Sequence, residues 1–215
     1  MAGSDNGIVL DDVRAYLDGL ANPGGTDLAA LEAEGLRDGW PIVGRVEGSL
    51  LHILASAIGA RRILELGTAI GYSGTWLARA LPPDGTLVTV EGNPDTAKIA
   101  AKNFERLGVA DRVTLLVGRA DDVLEDLTGP FDLIFNDIDK DGYPAVLEPS
   151  VERLRVGGLL VTDNVLWQGD VARKSRSAET KAIRAYNERL ANDPRMIAVI
   201  TPVRDGVSIA LKLRA

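Results

Sequence analysis

From residue 61 onward, short runs of leucine and β-branched residues alternate with amphipathic segments, and no other feature of the chain limits its fold so closely. The runs are RRILEL, TLVTVE, RVTLLV, FDLIFND and GGLLVTD. Between them lie TWLARAL, PDTAKIAAKNFERLG, ADDVLEDL and the segment Tyr143–Arg153. Strands that are apolar throughout are covered on both faces, and parallel strands need a crossover long enough for a helix. The alternation therefore predicts βαβ units stacked into a doubly wound, mostly parallel α/β sheet with helices on both faces. Pro94 suits the first turn of its helix and Gly108 its end. Gly157-Gly158 is expected to break the chain ahead of the fifth strand.

Near the end of the chain, RMIAVITPV and GVSIALKL are separated only by Arg204, Asp205 and Gly206. Asp-Gly is a strong hairpin signal, so a C-terminal antiparallel hairpin is expected to complete seven strands. The first 60 residues show helical spacing in VRAYLDGL, LAALEAEGL and GSLLHILASAIG, with ANPGGT as a loop between the first two. A chain of 215 residues, 46% of them hydrophobic, can bury one sizeable core. A single domain over 1–215 is expected, with a helical segment over 1–60 in front of an α/β core over 61–215.

Charge and residue usage narrow the chemistry. Acidic residues outnumber basic ones 31 to 24, which leaves no positive stripe for a phosphate backbone and points away from nucleic acid. The chain has no cysteine, so disulfides, thiolate metal sites and thiol catalysis are excluded together. MAGSDNG is not a basic segment leading into an apolar one, and no window reaches the ~18 apolar residues of a spanning helix. The expectation is a cytoplasmic protein without membrane contact. His52 is the single histidine, so a divalent metal would be held mainly by oxygen, which favours Mg²⁺, Mn²⁺ or Ca²⁺ over zinc.

The stretch ILELGTAIGYSG over 63–74 leads an apolar run into a loop with glycines at 67, 71 and 74. In an open α/β sheet the ligand crevice lies beyond the carboxyl ends of the strands, and glycines let backbone pass close to a ligand before a helix N-terminus. The spacing G-x-x-x-G-x-x-G is not the dinucleotide fingerprint G-x-G-x-x-G. Glu91, ending the second run, can accept hydrogen bonds from ribose hydroxyls, and Glu65 adds a second acid that would face a cationic group. Two carboxylates beside the loop suit a pyrophosphate poorly and an amino group, ribose and sulfonium well, so S-adenosylmethionine is the expected ligand.

The fourth run ends in FNDIDKDGY and the fifth in TDNVLW. If strands four and five flank the switch point, Asp137, Asp163 and Asn164 can converge on one octahedral Mg²⁺. Taken singly, such residues also serve as helix caps or turn formers. Lys140, three residues past Asp137, could act as general base toward a hydroxyl there, although a lysine in a charged loop is otherwise a solvated one.

These motifs together resemble the cation-dependent O-methyltransferases: caffeoyl-CoA O-methyltransferases, their bacterial relatives and, more distantly, catechol O-methyltransferase. The likeness runs from about 41 to 212 and is most specific in LELGTAIGYS, Glu91, FNDIDKDGYP, GGLLVTDNVLWQGDV and AIRAYNERLANDPRMIAVITPVRDGVSIALK. It implies a class I, Rossmann-like methyltransferase fold and cofactor contacts at Val43, Glu65, Gly67, Thr68, Tyr72, Ser73, Glu91, Ala120, Asp137 and Asp139. It implies metal ligands at Asp137, Asp163 and Asn164, a base at Lys140, an acceptor border at Trp167 and Gln168, and a homodimer. Asn136 departs from the apolar residue usual before the first metal Asp, and Val43 from a usual Ser or Thr. The N-terminal segment is unlike that of the plant enzymes and poor in basic residues, which favours a small vicinal diphenol over a CoA ester as acceptor. A nicotinamide-dependent oxidoreductase and a non-catalytic S-adenosylmethionine-binding protein are the alternatives.

Overall fold

The computed structural model describes residues 8–215; the opening MAGSDNG, read above for a leader, lies outside the described residues. Helices α1 (Asp11–Leu20), α2 (Thr26–Asp38) and α3 (Gly44–Ala57) come first. The α/β core follows as β1 (Arg62–Leu66), α4 (Tyr72–Ala80), β2 (Thr86–Glu91), α5 (Pro94–Arg106), β3 (Val113–Val117), α6 (Ala120–Asp126) and β4 (Phe131–Asn136). It is completed by α7 (Tyr143–Arg153), β5 (Leu154–Thr162), α8 (Ala178–Asn192), β6 (Met196–Thr201) and β7 (Val207–Lys212). No helix among the described residues is long and apolar enough to cross a membrane.

The seven strands form one sheet in the order β3-β2-β1-β4-β5-β7-β6, parallel from β3 to β5 and antiparallel at the β5–β7 and β7–β6 pairs. Side chains alternate across each strand, so one face carries Ile63, Leu87, Leu133, Phe135 and Val161, packed with α3, α4 and α5. The other carries Leu64, Leu66, Val90, Ile134 and Leu160, packed with α7 and α8. α5 starts as expected: Asn93 accepts from the N–H groups of Asp95 and Thr96, with Pro94 in the first turn.

Three expectations are corrected. The order of strands reverses between β1 and β4, not between β4 and β5; pairing partners are set by long-range packing that no local run encodes. Gly157-Gly158 lies inside β5, where the register against β4 jumps from Leu154 opposite Phe131 to Leu159 opposite Leu133, a bulge that Gly157 admits with φ 78°. Helix α8 is absent from the expected elements, although Ile183, Tyr186 and Leu190 bury one face of it and Ser177 caps it by accepting from Thr180 N–H.

Candidate active site

A cavity of about 970 Å³ opens beyond the carboxyl ends of the parallel strands. The loop after β1 forms its floor. Gly67 has φ 100°, and a Cβ there would sit 2.3 Å from the Asp137 carbonyl oxygen, so only glycine lets this loop pass the tip of β4. Gly67, Thr68, Tyr72 and Ser73 border the cavity, the last two in the first turn of α4, whose leading N–H groups have no partner within the helix. Val43, just ahead of α3, and Ala120, opening α6, border it too.

Glu65 does not. Its carboxylate is fully buried behind the wall, accepting from Ser73 Oγ at 2.6 Å and Thr89 Oγ1 at 2.6 Å, and burial pushes it up to about 7. Gly74 makes room for it, since a Cβ at 74 would lie 2.7 Å from Glu65 Oε2. Glu65, expected to face a ligand, meets the cavity only through Ser73, which it holds from behind. Glu91 does border the cavity, with one carboxylate oxygen held by Ala69 N–H and the other by Asn93 N–H, each at 2.9 Å.

At the other end stand the tips of β4 and β5. Asp137 N–H donates to Leu66 O at 2.8 Å and Asp163 N–H to Asn136 O at 3.1 Å, so the ladder itself carries both carboxylates to the rim. Lys140 Nζ donates to Asp137 Oδ1 at 2.9 Å and to Ile138 O at 3.0 Å. Asp163 is buried, accepts from Asn164 N–H, and is pushed up to about 7, first by burial and then by the charge of Asp137. The charge that Asp137 places beside the buried Asp163 is one that a cation would relieve, so the oxygen donors fit a hard divalent ion. Among the described residues no three Asp, Glu, His or Cys side chains form a metal-holding group by themselves, so an ion would also need the Asn164 amide. Asp137, Asp139, Lys140, Asp163, Asn164, Trp167 and Gln168 all border the same cavity as the glycine loop.

Two features escape the sequence. Glu47, on α3, is fully buried and held well above the usual carboxylate range by burial and by the charge of Asp163. Its Oε2 lies 3.4 Å from Arg204 Nη1, and its Oε1 has no hydrogen-bond partner. In the sequence it is one glutamate in an amphipathic helix, and nothing local separates it from a solvated one. Asn136 is also buried, with neither amide atom bonded. The second feature is strain: Ala69, Asn164, Trp167, Gln168 and Arg204 are the non-glycine residues with positive φ among those described, and all five border the cavity. Such conformations cost about 1–3 kcal/mol each and gather where a site over-determines them.

Comparison with known proteins agrees with this geometry. Residues 28–213 match the O-methyltransferase family. The catechol O-methyltransferase of Mycobacterium tuberculosis is 39% identical over 208 residues, covering 93% of this chain and 94% of that protein. Caffeoyl-CoA O-methyltransferase 1 of Zea mays is 35% identical over 181 residues, covering 78% of this chain and 70% of that one. Among solved structures, the O-methyltransferase TomG of Streptomyces achromogenes, in complex with S-adenosylmethionine, superposes with a TM-score of 0.84 at 36% identity, covering 94% of this chain and 96% of that one. The oxidoreductase alternative is thereby set aside, and the chain belongs to the S-adenosylmethionine-dependent O-methyltransferase family.

Proposed function

We propose that the chain transfers a methyl group from S-adenosylmethionine to one hydroxyl of a small vicinal diphenol, with Mg²⁺ (or Mn²⁺ or Ca²⁺) held by Asp137, Asp163 and Asn164. The observation that carries this reading is the meeting of two strand-tip carboxylates, one pushed up to about 7, in the cavity that also holds the glycine loop and Glu91. The donor supplies an electrophilic methyl on a positive sulfonium. The ion supplies charge that stabilises an ionised diphenol.

The chain's own residues then divide the work. Glu91, braced by two backbone N–H groups, accepts from the ribose hydroxyls. Ser73, held by Glu65, and the first turn of α4 receive the carboxylate end of the donor. Lys140 Nζ, on the acceptor side, holds the proton that the hydroxyl gives up. Trp167 and Gln168 wall the ring. Positioning and fixed charge would supply most of the rate. The mycobacterial relative's name supports a diphenol acceptor. The reading includes a cytoplasmic homodimer, which the exposed apolar residues Ile197 and Val199 on edge strand β6 and Tyr16 and Leu20 on α1 favour.

A panel of diphenols with labelled methyl donor tests it. Labelled product that disappears with EDTA and returns with Mg²⁺ is expected. Donor binding without product on any diphenol would leave a non-catalytic binding protein, and full turnover in EDTA would remove the metal.

A further inference from the structure

Along the sheet, β5 lies three strand spacings from β2, roughly 14 Å, so the segment following β5 belongs to the acceptor end and not to the ribose end. Its residues Asn164, Trp167 and Gln168 hold positive φ. The β6–β7 turn over 202–206 lies directly against it. Val165 N–H donates to Gly206 O at 3.0 Å, and Leu166 N–H to Asp205 O at 3.0 Å. Gly206 is in such close contact that a Cβ there would sit 2.3 Å from Leu166 Cγ. One bond comes from a side chain: Asp205 Oδ1 accepts the N–H of Gln168, the second of three successive residues with positive φ.

We infer that Asp205 is a positioning residue for the acceptor: by holding Gln168 N–H it fixes Trp167 and Gln168 in their left-handed conformation and so sets the wall on which the acceptor ring rests. The turn read from sequence as a hairpin signal thus has a second task. This rests on the proposed function only in assigning that wall to the acceptor. Because the bond needs an oxygen acceptor and not a charge, Asn at 205 can keep it and Ala cannot. Loss of the bond acts on the acceptor and leaves the donor loop after β1 untouched.

The test compares the wild-type chain with Asp205→Ala and Asp205→Asn, measuring KM for catechol, Kd for S-adenosylmethionine and amide exchange over residues 164–172. Asp205→Ala is expected to raise the catechol KM about tenfold or more and to speed exchange at Gln168, with donor Kd within about twofold of wild type. Asp205→Asn is expected to restore both. An Ala variant with unchanged KM and exchange would overturn the inference. So would one that loses donor and acceptor affinity together, or an Asn variant as impaired as Ala, which would assign the effect to charge. Should the wild type methylate no diphenol, the proposed function fails, while exchange at Gln168 still decides the bracing: protection lost with Ala and kept with Asn supports it, and equal protection in all three overturns it.

Discussion

Glu65 keeps its proton to about pH 7 because burial disfavours the carboxylate more than the Ser73 and Thr89 hydroxyls favour it. This accounts for an acid set in an apolar strand: it fixes Ser73, and with it the first turn of α4, from behind. Its ordinary value is 4.5, so the folded chain holds an extra proton between about 4.5 and 7. The stability this contributes is complete below 4.5 and is lost as pH rises through 7, a span on the order of 3 kcal/mol. Glu65→Gln should remove it. Thermal midpoints of wild type and variant, measured from pH 5 to 8, are expected to diverge, with wild type losing ground as pH rises; parallel curves would contradict the assignment. The presence of Glu65 beside the glycine loop is legible in the sequence. Its orientation is not, because Thr89 lies on a neighbouring strand and only strand register brings the two together.

At the scale of elements, α3 shows why local pattern is an incomplete guide. GSLLHILASAIG has helical spacing, yet that spacing does not mark the two residues of α3 with the tightest surroundings: Glu47, buried beside the site, and Gly48, packed against Trp76 in the core. Gly48→Ala would gain up to about 1 kcal/mol of helix propensity. The added Cβ, however, would sit 2.2 Å from Trp76 Nε1, and Trp76 is buried in the core. Overpacking of this kind costs about 1–3 kcal/mol, so the steric effect wins and the variant is expected to unfold at lower urea, with an unchanged m-value. A midpoint at or above wild type would contradict it. The central strands β1 and β4, by contrast, are legible in the sequence because burial on both faces forces continuous apolar runs. The bulge at Gly157 and the identity of the neighbour of β4 are not, since each depends on a partner strand far away in sequence.

Across the whole molecule, the sheet order brings three strand tips to one end: β2 carries Glu91, β4 carries Asp137, and β5 carries Asp163 with Asn164. The sequence makes these residues candidates through their positions at run ends, and their convergence follows once β1 and β4 pair at the switch point. The strained segment after β5 and its brace from the β6–β7 turn had no local signal beyond Asp-Gly. The account as a whole depends on Asp137 and Asp163 gathering on one hard cation. Calorimetric titration of Mg²⁺ into the chain with S-adenosylmethionine present, repeated on Asp137→Ala and Asp163→Ala, tests this most directly. One saturable site in the wild type that vanishes in both variants is expected; no site in the wild type, or the same site in all three, would contradict it.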